Sequence, residues 1–252
     1  MNNIPKIIFI IPYRNREKQI NFFTEHFYKT KKYYNWNDDY AKMFFIHQFD
    51  KREFNRGAMK NIGFLFVKNK YPNNYKNITL VFNDIDTFPE SPELINYETS
   101  DGILKHFYGY EWALGGIFSV KAGDFEKTKG FPNFWGWGLE DNVMNERCNN
   151  IIKIDRKIFY NINDKKIIRL YDGVIRVKSN REAYIYKYEK HILDDLTMID
   201  NIEYNEDGNF VNVINFKLKR NYDNNEFENY DIRNGTRIKL KKGFYRKNWS
   251  MF

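Results

Sequence analysis

The sequence has one cysteine, Cys148, in 252 residues. No intramolecular disulfide can form, and the fold does not depend on an oxidising compartment. Long hydrophobic runs are also missing. The first apolar stretch, Ile7–Ile11, is five residues, against the roughly 20 that span a bilayer, and it is too short for a signal-peptide core. A soluble, cytoplasmic protein with neither signal peptide nor transmembrane anchor is expected. No internal repeat is visible. Hydrophobic residues at 42% and charged residues at 29% exclude disorder of the whole chain.

The charge is +8, from 41 basic and 33 acidic residues, and such a balance favours anionic ligands. It is unevenly placed: from Lys217 onward ten Lys/Arg face four Asp/Glu, so the tail holds +6. The remainder is nearly neutral, and nucleic acid is not the expected partner. The basic tail could instead touch an acidic surface. Aromatic residues make up 19% of the chain. Most of the Phe and Tyr should replace Leu and Val in the core; Trp flanked by Gly is a different matter.

Lys6–Pro12, Met43–Phe49 and Ile78–Phe82 are apolar runs of the length of buried strands. Between them, Arg16 to about Tyr34 and Asn55–Lys70 carry apolar residues at helical spacing, with Met59, Ile62, Phe66 and Val67 on one stripe. This alternation predicts an α/β sheet with right-handed crossovers. A strand over Trp112–Val120, a short helix at Asp124–Lys129 and a helix from Glu140 to Cys148 follow. Ile202–Leu218 alternates as β structure, and Asn221–Asp231 has the composition of a flexible linker.

Three constellations carry chemistry. Asp84-Ile85-Asp86 directly follows a buried strand, where open sheets bind ligands; two carboxylates so spaced can hold a divalent cation and a diphosphate, or form a solvated turn. Pro12-Tyr13-Arg14-Asn15-Arg16 closes the first strand and sets two guanidiniums beside a ring, suited to a nucleotide or to an ordinary surface loop. Gly130-Phe-Pro-Asn-Phe-Trp-Gly-Trp-Gly-Leu-Glu-Asp-Asn142 frees Trp135 and Trp137 to form a platform, with Glu140 and Asp141 next in line. Rings and carboxylates together grip sugars, and a carboxylate beside a hydroxyl can take its proton.

These stretches, with Phe54-Asn-Arg-Gly-Ala-Met-Lys-Asn-Ile-Gly-Phe64, Phe82-Asn-Asp-Ile-Asp-Thr-Phe-Pro89 and Gly115-Gly116 between them, resemble the β-1,4-galactosyltransferase family (glycosyltransferase family 7) in the same order over about residues 4–200. The resemblance implies a GT-A type α/β fold: a mixed, mostly parallel central sheet flanked by helices, here with a small β-rich extension, so that 1–218 is the catalytic domain and 219–252 a basic aromatic appendage. It implies an inverting transfer of a hexose or N-acetylhexosamine from a UDP-sugar to a sugar or glycoconjugate hydroxyl. Carried over by position, Pro12, Tyr13, Arg14, Arg16, Phe54, Arg56, Asp84, Ile85, Asp86, Ala113, Gly115, Gly116 and Trp137 bind the UDP-sugar. Trp135, Trp137, Glu140, Asp141 and Asn142 bind the acceptor, with Asp141 the general base. Mn²⁺ is the implied cofactor, with Asp86 its ligand.

Three positions depart from the family. Asn142 replaces an acidic residue. Val177 stands where a histidine metal ligand belongs, leaving Asp84, Asp172 or His191 to complete a site. Ala113 replaces a donor-choosing tyrosine and leaves room for an N-acetyl group. The alternative on the same residues is a catalytically silent carbohydrate- or nucleotide-sugar-binding protein.

Overall fold

The computed structural model describes residues 3–171, 173–188, 194–219 and 226–234. In chain order the main elements are β1 (Ile7–Tyr13), α1 (Glu17–Tyr33), β2 (Ala41–Gln48), α2 (Arg56–Lys70), β3 (Thr79–Asn83), β4 (Thr87–Pro89), β5 (Ile103–Tyr110) and β6 (Ala113–Lys121). Then come α3 (Ala122–Lys127), α4 (Glu140–Asn149), β7 (Lys153–Asp155), β8 (Tyr160–Asn161), β9 (Ile167–Arg169), β10 (Ile175–Ser179), α5 (Asn180–Tyr188), β11 (Ile199–Asp207), β12 (Phe210–Leu218) and β13 (Phe227–Asp231).

The large sheet runs β11-β12-β2-β1-β3-β6-β5-β7, with β8 also pairing to β5. Strands β12, β2, β1 and β3 are parallel neighbours, whereas β6 is antiparallel to both β3 and β5. This is the mixed, mostly parallel sheet expected. β1 shows why it forms: all seven residues are buried, and side chains alternate between two cores. Ile8 and Ile10 face α2 with Met59 and Ile62. Ile7, Phe9, Ile11 and Tyr13 face α1 with Phe23 and Phe27. Aromatic rings do fill these cores: Phe9 meets Phe27 and Tyr97 edge-on at 5.3 and 4.9 Å, each such pair adding about 0.5–1.5 kcal/mol beyond its burial.

α2 starts sharply because the Asn55 side chain accepts from Ala58 N at 2.8 Å, a cap of about 1 kcal/mol. The same amide donates to Asn133 O at 2.8 Å and so ties α2 to the Trp-rich loop. β5 and α5, which apolar patterning does not reveal, are both present. Asn221–Asp231 departs from expectation, because its part Phe227–Asp231 is a strand antiparallel to β10. Ladder pairing, with Lys178 bridging to Glu228 at 2.8 Å, overrides the polar composition. Among the described residues no helix is long and apolar enough to cross a membrane.

Candidate active site

The C-terminal ends of the parallel strands meet in one cavity, the usual ligand position of an open α/β sheet. Pro12, Arg14 and Arg16 reach it from the end of β1, Phe54 and Arg56 from the start of α2, and Asp84, Ile85 and Asp86 from the turn after β3. Tyr110, Trp137, Arg169, Arg176 and Ile232 complete the lining. Arg14 is held by the carbonyls of Arg52 and Asp50, and the Arg56 guanidinium lies 4.9 Å from the Phe54 ring centre. Burial lowers the Arg56 pKa; Glu140 and Asp84 oppose that effect, while Arg176 and Arg16 add to it.

The aspartate turn is fixed through its backbone. Asp84 N donates to Gly116 O at 3.0 Å, and Asn83 Nδ2 donates to the carbonyls of Asp84 and Thr87 at 2.8 Å each. Gly116 has φ +69°, and a Cβ there would press on the Tyr108 carbonyl at 2.5 Å, so glycine is required. His106 locks the same corner. Burial lowers its pKa to about 4, and its Nδ1 accepts from Arg156 Nε at 3.1 Å. Nε2 therefore carries the proton and donates to Tyr108 O and Gly115 O.

Two carboxylates leave most coordination positions of a divalent cation open. Among the described residues no group of three His, Cys, Asp or Glu side chains could hold a metal ion. Val177 offers only its carbonyl, which accepts from Trp137 N at 2.6 Å. Asp172 and His191 lie outside the described residues. The described side chains do not fit a complete metal site.

Beside the cavity, α4 begins at Glu140 after Leu139 in the left-handed region, φ +73°. Asp141 Oδ1 accepts from Lys60 Nζ at 2.8 Å, and that lysine is 2% exposed, seated over the Phe131 ring at 4.6 Å. Asp141 also abuts β6: a Cβ on Gly115 would collide with its Oδ2. Burial raises the Asp141 pKa, Lys60 lowers it, and the Asp84 charge raises it. Burial works against the Lys60 charge, yet Asp141, Asp84 and Glu140 hold its pKa above the ordinary value.

Residues 2–98 match the model of the N-terminal region of glycosyl transferase group 7, and residues 104–163 match its companion, described as the N-terminal domain of galactosyltransferase. The chain belongs to glycosyltransferase group 7. Its relatives include the xylosylprotein 4-beta-galactosyltransferase of Caenorhabditis elegans, 32% identical over 146 residues, 54% of this chain and 48% of that protein. Human beta-1,4-galactosyltransferase 4 is 28% identical over 156 residues, 57% of this chain and 42% of that protein. The chain thus spans about half the length of the curated relatives it matches. In fold it is similar to the catalytic domain of Drosophila beta-1,4-galactosyltransferase 7 in complex with xylobiose, with TM-score 0.62, 20% identity, and coverage of 84% of this chain and 94% of that one. A mutant of that enzyme in complex with manganese, UDP-Gal and xylobiose gives 0.59 at 18% identity, covering 86% and 95%. The shared fold is GT-A.

Not every expected residue of this group 7 chain faces the cavity. Tyr13 is buried in the α1-side core, edge-on to His47 at 4.8 Å and Phe210 at 5.7 Å, because the β1 pleat turns it away from Pro12 and Arg14. Trp135 is not a free platform. Phe216 stacks on it at 5.5 Å and the Arg52 guanidinium lies 4.9 Å from its ring. Its N and that of Gly136 donate to Glu182 at 2.7 and 2.6 Å, pinning the loop to α5. Trp137 does face the cavity, and Tyr230 of β13 stacks on it at 6.4 Å. Ala113 is buried at the start of β6. Asn142 Nδ2 donates to Trp112 O at 3.4 Å. Lys60, Arg169, Arg176, Tyr230 and Ile232 were not legible as site residues. Arg176 directly precedes Val177, the position at which the family resemblance puts a histidine metal ligand.

Glu140 is 4% exposed, and its Oε2 is buried with no hydrogen-bond partner. Burial, then the Asp141 charge, pushes its pKa up to about 7. A carboxyl raised in the folded state contributes stability that is present below about pH 4.5 and lost as pH rises toward 7. Stability relative to a Glu140→Gln variant should therefore fall across that window by on the order of 2 kcal/mol. Urea midpoints at pH 5, 6 and 7.5 read this out. A flat difference would mean Glu140 is already ionised at pH 5.

Proposed function

We propose that the chain is an inverting glycosyltransferase that moves a hexose or N-acetylhexosamine from a UDP-sugar to a hydroxyl of a sugar acceptor. The placement of Asp141 carries this reading: a carboxylate held by Lys60, close-packed against Gly115, within electrostatic reach of Asp84 in an arginine-lined cavity. Named relatives that are β-1,4-galactosyltransferases support the reaction class. The UDP-Gal and xylobiose bound by the structural neighbour support the donor and acceptor classes.

The acceptor oxygen attacks C1 of the donor sugar on the face opposite UDP, and its proton passes to Asp141. The C1–O bond to the diphosphate breaks, and its electron pair leaves with UDP. Attack on the opposite face inverts the anomeric centre. Arg14, Arg16 and Arg56 grip the nucleotide diphosphate. Trp137, at the cavity wall, offers the apolar face of a sugar a ring to lie against.

Ala113 stands at the position that the family resemblance makes donor-choosing and carries a small side chain, so an N-acetylhexosamine donor is accepted at least as readily as galactose. A panel of UDP-sugars, read by UDP release with mixed sugar acceptors, tests both the reaction and this choice. Faster release from UDP-galactose than from UDP-GalNAc and UDP-GlcNAc would overturn the donor assignment. Release from none would overturn the transferase. Ala113→Tyr should shift kcat/KM toward galactose by about tenfold or more, the size of a lost apolar fit.

A further inference from the structure

We propose, on the UDP-sugar reading above, that Arg169 and Arg176 neutralise the departing diphosphate in this chain, so that UDP binding and transfer need no divalent cation. The two guanidiniums are brought to the aspartate turn by backbone pairing. Arg169 lies opposite Thr87 in the β4–β9 ladder, and the next residue, Leu170, donates its N–H to Asp86 O at 2.8 Å. Arg176 is 7% exposed and its Nη1 donates to the carbonyls of Gly173 and Ile175 at 3.2 and 3.1 Å, which fixes the guanidinium at the cavity wall. It directly precedes Val177, whose side chain has no ligating atom.

Charge decides between a cation and these arginines. With Arg14, Arg16 and Arg56, five guanidiniums and two carboxylates line the cavity among the described residues, an excess of three positive charges within that set. A UDP-sugar diphosphate carries about −2, and released UDP approaches −3 once its terminal phosphate ionises above a pKa of about 6. The cavity already matches the charge that develops as the bond breaks, and a divalent ion would overshoot it. Like-charge crowding is felt before any ligand arrives, since Arg176 and Arg16 both disfavour the charge on Arg56. Planar guanidiniums donate in pairs to phosphate oxygens, and preorganised donors aimed at a leaving group act as a metal would. In the transfer step the electron pair of the broken C1–O bond comes to rest on a diphosphate oxygen that these donors hold, while Asp141 keeps the acceptor proton.

The test is calorimetric titration of the full chain with UDP, in EDTA and in Mn²⁺, followed by UDP release under both conditions. UDP should bind in EDTA, with Mn²⁺ changing Kd less than about threefold, and transfer should persist without metal. Arg169→Met, at an exposed strand position, should weaken UDP in EDTA by about tenfold or more, as should Arg176→Lys, which keeps charge but loses the fork. Thermal melting confirms that both variants fold. UDP binding seen only with Mn²⁺, or wild-type affinity in both variants, overturns the proposal and leaves the transferase reading standing. UDP bound under neither condition removes both.

Discussion

Asp141→Asn should lower the rate of sugar transfer by about a hundred- to ten-thousand-fold, the range a positioned general base contributes. UDP affinity should stay within about threefold of wild type, because the diphosphate grip lies with the cavity arginines. The amide keeps the size of the carboxylate, so Lys60 and Gly115 still pack against it; what is lost is the ability to take the acceptor proton. Single-turnover transfer and UDP titration on the same preparation separate the two quantities. Transfer that survives the substitution would assign the proton to another group, and Glu140, the adjoining buried carboxyl, would be the first to examine.

Lys60→Met should move the acidic limb of the pH–rate profile upward. Lys60 is the strongest influence holding the Asp141 pKa down, against burial and the Asp84 charge. Without it the carboxyl stays protonated to higher pH, and each unit of rise costs about tenfold in rate on the acidic side. The plateau at high pH should be less affected than the rate at pH 6. Folding should weaken by about 2 kcal/mol, below the 3–5 kcal/mol of a wholly buried pair, because the Asp141 side chain is 26% exposed. An unmoved acidic limb would show that the ionisation controlling turnover is not that of Asp141.

How far the residues disclose this architecture depends on how each segment is held. β1, β2 and β3 are legible because both faces are buried, so their apolar runs are continuous, and α2 because its stripe faces the sheet. β13 is illegible: Phe-Glu-Asn-Tyr-Asp is strand only through its ladder with β10. α5 hides for a related reason, as its polar Glu182 is buried to hold the Trp loop rather than to satisfy a pattern. In the site, Arg14, Arg16, Asp84 and Asp86 line the cavity just beyond strand ends and Arg56 at the start of α2, in the order of the motifs. Tyr13 and Trp135 do not, because a motif fixes sequence neighbours while the pleat and the Phe216–Arg52 stack decide which way a ring points. Lys60 escapes notice inside an apolar helix stripe, where a lysine reads as a solvated residue and its partner lies 81 positions away.

The pairing of β13 with β10 also sets an order of events during synthesis. Ile232 lines the cavity and Tyr230 stacks on Trp137 at its wall, whereas Arg14, Arg56 and Asp84 come from segments far earlier in the sequence. On a ribosome the nucleotide-facing wall can form while the wall beside Trp137 is still untranslated. The Trp loop must therefore await the synthesis of β13 before Tyr230 can stack on it.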